Sequence, residues 1–579
     1  MPADPPPTDG FNPDLLTRIP LAARTVLDVG CGDGALLAAY RARNPRARLL
    51  GIELDPDRAD RAAARLDDVA AMDVEADPLP FDPDLSLDCV IYGSVLERLR
   101  DPAAVLAAHA AALGPNGVVL ICVPNIEHWS FAARLLAGGW SYEPVGLFDA
   151  GHLRWFTIGA MRSLLTEVGL VPCDVSPRVF DAEAARNFAT AIAPALRAVG
   201  ADPQEYVRRA APLQFIWRAR RQARERLTVV GNMLAPVGGV SHVRVIHPFN
   251  AIASDPSVTT RIITLPDLPA PGPATGPATG PGAGPEAAQI CVLHRPILAG
   301  PGSRAYLRSL HARGYLLVTE FDDHPDYLAR VPHGEQLAFA GVHAVQTSSP
   351  ALASLLRARN PETVLFPNMI DTLPEPRNFA NSDRLTLFFG ALNREADWQA
   401  LMPTLNAVAA IAGERLAFEV AHDRAFFDAL ETPHKRFTPT CDYDTYLRLL
   451  GGSEIAFMPL SDTPFNRAKS DLKFIEAGAC RVAALASPIA YTGTIEDGRS
   501  GLLFTDADSL RAKLIQLVAM PELARALGEA AREYVIRERM LAYQVAPRIA
   551  WYRSLWARRP ELTAAIEARV PGLLDPALA

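Results

Sequence analysis

The sequence predicts an α/β protein built from several parallel-sheet units in one chain. Three observations carry that expectation. Short β-type runs alternate with alanine-rich helical stretches over residues 25–123, and the alternation returns from 227 and again from 385. Two strand-to-helix turns are rich in glycine, at 30–34 and 238–239. The 579 residues exceed what one hydrophobic core supports, about 250–300 residues, so two or three domains are expected.

In order along the chain, residues 25–29, 49–54, 88–92 and 118–123 read as strands and 102–113 as a helix. From about 183 to 226 the pattern turns helical and ends in the basic, aromatic stretch FIWRARR at 215–221. A second α/β region opens at 227–230, is broken by a Pro/Gly/Ala/Thr tract at 268–285 that cannot pack a core, and resumes at 290–293. A third runs from 385–389 through 455–459 and 482–487 to 501–504, and closes with a helix near 546–558. The expected limits are 1–180, a helical connector 181–226, 227–382, 383–560 and a tail 561–579.

Composition narrows the function classes. A net charge of −8 argues against a general nucleic-acid binder, which is usually basic. No window of 18 apolar residues reads as a membrane span, and residues 1–10 lack a secretory pattern. The seven cysteines form no CxxC pair, so neither a zinc site nor a disulfide framework is expected, and a reducing cytoplasm fits. The arginines at 208, 209, 218, 220, 221, 224 and 226 suggest a helix that either bridges two modules or lies on the inner face of a membrane.

Residues 26–34 read VLDVGCGDG, a strand entering a glycine turn. Gly30, Gly32 and Gly34 let the backbone approach a ligand closely. A dinucleotide fingerprint would read GxGxxG; here an acid, Asp28, precedes the first glycine by two residues. An acidic strand end suits a cationic ligand such as S-adenosylmethionine better than a pyrophosphate. Glu53, at the tip of the second strand, is placed to accept from ribose hydroxyls, and Asp73 from an adenine amino group.

These marks, with Glu97, LGPNG at 113–117, VPN at 123–125 and GHLRWFT at 151–157, resemble the class I methyltransferases related to ubiquinone-biosynthesis and sugar O-methyltransferases. The resemblance covers residues 25–171 and implies a Rossmann-like fold with S-adenosylmethionine as cofactor. Where that family carries a histidine after the fourth strand, this chain has Arg98. His152 becomes the candidate base for methyl transfer to oxygen; the alternative is that His152, Arg154 and Trp155 latch a lid.

Residues 227 to about 560 resemble the two-domain GT-B glycosyltransferases, nearest in pattern to the retaining family 4 type. The resemblance rests on PVGGVS at 236–241, EFDD at 320–323, VQTSS at 345–349, FPNMID at 366–371, FFGALNR at 388–394 and NRAKSDLKFIEAGA at 466–479. It implies a nucleotide-sugar site formed by Gly238, Gly239, Arg394, Lys469, Lys473 and Glu476. Lys469 and Lys473 stand four apart, on one helix face, and the chain has only four lysines. Lysines suit a diphosphate and a following glutamate suits ribose hydroxyls. The family's first signature glutamate falls at Ala468. No metal is expected, and Asp322-Asp323 reads as a structural or acceptor-side pair.

The expected function is a bifunctional transferase of glycan or surface-polysaccharide assembly, methylating a sugar hydroxyl and transferring a sugar to a carbohydrate or lipid-linked acceptor. Two alternatives stand beside it: an active methyltransferase whose GT-B half only binds, and a non-catalytic scaffold.

Overall fold

The structure is a computed structural model, and it describes residues 10–82, 84–233, 238–264, 288–299, 302–325, 336–375 and 384–574. The expected loop at 268–285 and the expected boundary at 382/383 lie outside the described residues. The chain divides into two compact units, Met1–Arg224 with Ser254–Ser257, and Glu225–Ala253 with Val258–Ala579.

The first unit holds one seven-stranded sheet, built from β1 (Thr25–Val29), β2 (Arg48–Glu53), β3 (Asp68–Ala71), β4 (Leu87–Gly93), β5 (Leu113–Pro124), β6 (Val171–Arg178) and β7 (Gln214–Arg220). The order is β3-β2-β1-β4-β5-β7-β6, so the direction of winding reverses between β1 and β4. β1 to β5 run parallel, and β7 lies antiparallel between β5 and β6. Leu27, Val29, Val90, Tyr92, Val119 and Ile121 fill its core at 0–1% exposure, the near-continuous apolar runs that a sheet covered on both faces demands.

The connector expected at 181–226 is corrected here. Helices Ala182–Ala191, Ala193–Ala198 and Pro203–Ala210 are present, but the arginine-rich stretch is strand β7. Its alternation decides this: Phe215, Trp217 and Ala219 enter the core. Arg218 and Arg220, on the other face, are buried as well and pair with Asp174 and Asp255. Neither a bridging helix nor a membrane-surface helix remains for those two arginines.

The second unit carries two parallel sheets. β8 (Leu227–Met233), β9 (Val258–Thr264), β10 (Ala288–His294), β11 (Leu316–Glu320), β12 (Ala344–Thr347) and β13 (Thr363–Leu365) order as β13-β12-β11-β10-β8-β9. β14 (Leu385–Gly390), β15 (Leu416–Ala421), β16 (Lys435–Thr438), β17 (Ile455–Met458), β18 (Ala483–Ala486) and β19 (Leu502–Leu503) order as β16-β15-β14-β17-β18-β19. Each sheet reverses its winding once, at β8/β10 and β14/β17, the places where open α/β sheets take ligands.

The tail expected at 561–579 is also corrected over its described part. Helix Arg559–Arg569 follows helix Ala542–Ala557 almost directly, and Ile566, Val570 and Leu573 are buried in the core of the β8–β13 half. Residues 559–574 thus return to the half in which the unit began. Among the described residues no helix is long and apolar enough to cross a membrane.

Candidate functional sites

In the first unit the glycine turn leaves β1 at the winding reversal. Gly30, Gly32 and Gly34 have φ of 75°, 59° and 78°. A Cβ on Gly30 would lie 2.5 Å from Val95 Cγ2. The loop is tied to β2: the Gly30 and Cys31 amides donate to Ile52 O at 2.8 and 3.0 Å. Gly34 is the N-cap of helix Ala35–Arg43.

A cavity of about 430 Å³ opens beside this turn, lined among others by Asp28, Gly30, Gly32, Asp33 and Gly93. Asp28 is buried, and burial, then the neighbouring Glu53, push its carboxyl up to about 8. A buried carboxyl held next to another acid favours a cationic ligand, because a cation relieves both penalties. This charge and the tight glycine cradle fit an S-adenosylmethionine-type donor, with Asp28, Gly30 and Gly32 as the residues that would hold it.

The other expected donor contacts are placed differently. Glu53 accepts from the Gly32 amide at 2.8 Å and from the Leu54 and Asp55 amides at 3.0 and 3.1 Å, so it braces the loop. Asp73 is exposed, outside the cavity lining, and accepts from the Glu75 amide at 2.9 Å. The sequence reading missed Phe11, Asn12 and Leu15, which line the cavity from helix Pro13–Arg18 and the two residues before it. The signal was Asn12-Pro13, an N-cap followed by proline at the first helical position.

His152 lies in a segment docked on the turn after β4. The Leu153 and Arg154 amides donate to Glu97 O at 2.7 and 2.9 Å, and Arg98 pairs with Asp149 at 2.6 Å. The His152 side chain is 4% exposed, with Nε2 3.9 Å from Glu97 Oε1. Burial pushes Glu97 up to about 7, and burial, then Arg98, hold His152 below its ordinary value. Arg98, which stands where a histidine was sought, pairs with Asp149 of the same segment that carries His152.

In the second unit, the nucleotide-sugar candidates gather at the C-terminal ends of β14 and β17. Lys473 Nζ donates to Gly390 O at the end of β14. Glu476 accepts from Tyr443 OH at 2.6 Å. Glu476 is buried and Lys473 half-buried; desolvation draws Lys473 below its ordinary value and drives Glu476 above its own, each opposed by the other's charge. Arg394 meets Asn466 at 3.0 Å and Asp397 at 3.3 Å.

The β8 loop reaches the same cluster. Gly238 opens the short helix Gly238–Ser241, and a Cβ on Gly239 would lie 2.7 Å from the Tyr443 ring. The His242 ring stacks on Tyr443 with centroids 5.3 Å apart. The expected shared helix face is corrected: Lys473 lies on helix Leu472–Ala479 and Lys469 precedes it, outside any helix, and points to the other half, where it pairs with Asp323 at 2.9 Å. Asp322 is gripped by Arg295 at 2.6 and 2.9 Å.

Sequence reasoning missed Tyr443 and His242, which no motif flagged. It also missed a buried network behind the site. Arg244 pairs with Glu320 at 2.8 Å, Gln346 donates to Glu320 at 2.7 Å, and Tyr552 donates to Gln346 at 2.9 Å. A π-helical turn, His242–Ile246, carries both His242 and Arg244.

Comparisons with known proteins agree with this division. A family model described as "Methyltransferase domain" matches residues 9–174, and one described as "Glycosyl transferase-like" matches 395–547. The trans-aconitate 2-methyltransferase of Methylobacterium nodulans is 34% identical over 158 residues, 25% of this chain and 60% of that protein. Its counterpart from Shigella dysenteriae is 29% identical over 163 residues, 28% of this chain and 62% of that protein. The chain therefore spans about three fifths of the length of these curated relatives. A glycosyltransferase structure from Rickettsia africae shares 14% identity and covers 57% of this chain and 99% of its own, with a TM-score of 0.42. This chain carries a domain of the methyltransferase family at its N-terminus and a glycosyl transferase-like domain at its C-terminus.

Proposed function

We propose that the chain is a bifunctional transferase of glycan assembly. Its N-terminal domain methylates a sugar hydroxyl with S-adenosylmethionine, and its C-terminal half transfers a sugar from a nucleotide donor to a carbohydrate or lipid-linked acceptor. One observation carries the reading: a single chain holds the Asp28–glycine cavity and, separately, the cluster of half-buried Lys473 with buried Glu476 and Tyr443 at a winding reversal. Two linked modules acting on one product work at high effective concentration.

Bound S-adenosylmethionine supplies an electrophilic methyl group. Asp28 balances the donor's positive charge, Glu53 fixes the loop through the Gly32 amide, and the lid segment around His152 excludes water. In the second half Lys469, Lys473 and Arg394 meet the diphosphate's charge, and Glu476 takes the ribose hydroxyls. No resident metal is invoked, and the cytoplasm is the expected compartment.

A second reading has its own support. The relatives are named for trans-aconitate, a carboxylate acceptor, so the methyl group goes to a carboxylate on that reading. Mass spectrometry of glycans from cells making the wild type, Asp28→Ala or Glu476→Ala separates the readings. The expected results are loss of one methyl group in the first variant and of one sugar in the second. Unchanged glycans in both variants would remove the bifunctional reading.

A further inference from the structure

The Lys469–Asp323 pair joins the two halves of the second unit, and its position gives it a further use. Asp323 stands three residues past Glu320, the last residue of β11, and Lys469 lies two residues past helix Pro464–Arg467. Their side chains are 12% and 22% exposed, at 2.9 Å. Lys469 Nζ also rests 4.3 Å from the centroid of the Phe465 ring. A mostly buried ammonium needs an anion, and Asp323 is the anion present. Burial lowers Lys469 and Asp323 opposes that fall.

The pair is not what ties the halves together. Asn368 donates to Ser470 Oγ and Ser349 to Ala468 O, each at 2.8 Å, on either side of Lys469 in the sequence. These neutral bonds persist if the ion pair opens. Asp323 keeps a weaker neighbour, Arg295 Nη2 at 3.8 Å, whose fork is committed to Asp322. The carboxylate can therefore leave Lys469 without leaving the site, and Lys469 can turn to another anion.

We propose that Asp323 is an exchangeable partner of Lys469: it occupies the diphosphate's place on that lysine in the ligand-free chain and, once displaced, takes the proton of the acceptor hydroxyl. This rests on the reading that the C-terminal half uses a nucleoside-diphosphate sugar. In the transfer the acceptor oxygen bonds to the anomeric carbon while the bond from that carbon to the phosphate oxygen breaks. The electron pair leaves with the diphosphate, whose charge Lys469 meets, and the hydroxyl proton passes to Asp323.

The two roles predict opposite signs in one variant. In the full chain, Asp323→Asn removes the competing charge and the proton acceptor together. Calorimetry with UDP, GDP and ADP should show the best-binding diphosphate held at least threefold tighter. Release of that diphosphate from UDP-glucose or GDP-mannose, with methyl glycosides as acceptors, should fall at least tenfold. Asp323→Glu should recover part of the rate. A merely structural pair would weaken both binding and turnover. Diphosphate binding that is unchanged or weaker in Asp323→Asn overturns the exchange, and an unchanged release rate overturns the proton role. If Asp323→Asn does not fold, Asp323→Ser carries the same two predictions. If the folded wild type binds none of the three diphosphates, the nucleotide-sugar reading itself fails.

Discussion

Gly30 has φ +75°, and a Cβ there would lie 2.5 Å from Val95 Cγ2, whereas Gly32, at φ +59°, has open space around it. Alanine at Gly32 meets only the left-handed penalty, about 1–2 kcal/mol. Alanine at Gly30 adds an overpacking cost, typically about 1–3 kcal/mol. Denaturant unfolding of the first unit should rank Gly30→Ala below Gly32→Ala, and equal losses would discard the cradle argument. Asp28 gives a pH prediction from the same loop. Its carboxyl is raised to about 8 in the folded chain, against about 4 when unfolded. Between those values the folded state holds the extra proton, so this group's contribution to stability declines as pH rises from about 4 to about 8. A cationic donor favours the ionised form. Calorimetric affinity for S-adenosylmethionine should therefore climb between pH 6 and 8, by up to about tenfold per unit, and Asp28→Asn should flatten that rise.

At the scale of elements, legibility followed whether a signal was local. The turn at 30–34 could be read because a glycine run between an apolar strand and a helix has few other uses. The four-residue spacing of Lys469 and Lys473 misled, because the helix begins only at Leu472 and leaves Lys469 outside it. β7 could not be read. Its antiparallel neighbours are far away in sequence, and arginines inside it suggest a surface until Asp174 and Asp255 are seen to meet them. Asp73 is the opposite case: its side chain serves a local turn, accepting from the Glu75 amide. The expected tail at 561–579 conceals most of helix Arg559–Arg569, because nothing in its own sequence names the core it enters. Its burial carries a test. Ile566 is 0% exposed in the β8–β13 core, and an isoleucine-to-alanine change at such a site costs about 2–5 kcal/mol. Ile566→Ala should lower the denaturation midpoint of the second unit, and a shift within error would return the segment to the status of a tail.

For the whole molecule, the sequence order and the compact units do not coincide. Ser254–Ser257 lies between two elements of the second unit yet belongs to the first. There Ser254 Oγ accepts from the Leu21 amide at 2.8 Å, Ser254 O accepts from Arg218 at 2.7 Å, and Asp255 pairs with Arg220 at 2.9 Å. The Arg218 and Arg220 side chains are only 7% and 4% exposed. A chain cut after residue 226 keeps every strand of the first sheet but strips these partners, leaving Arg220 buried without its carboxylate. Breaking a buried pair in this way costs about 3–5 kcal/mol, more than replacing both members with apolar groups. The fragment 1–226 should therefore show faster hydrogen exchange at the β7 amides than the same residues in the full chain. Arg220→Leu within the fragment should restore part of the protection, since an apolar side chain there leaves no charge unpaired. If the fragment's β7 amides exchange as slowly as the full chain's, Ser254–Ser257 contributes nothing to the first unit. The first unit would then be separable after residue 226, where the sequence alone expects the second α/β region to begin.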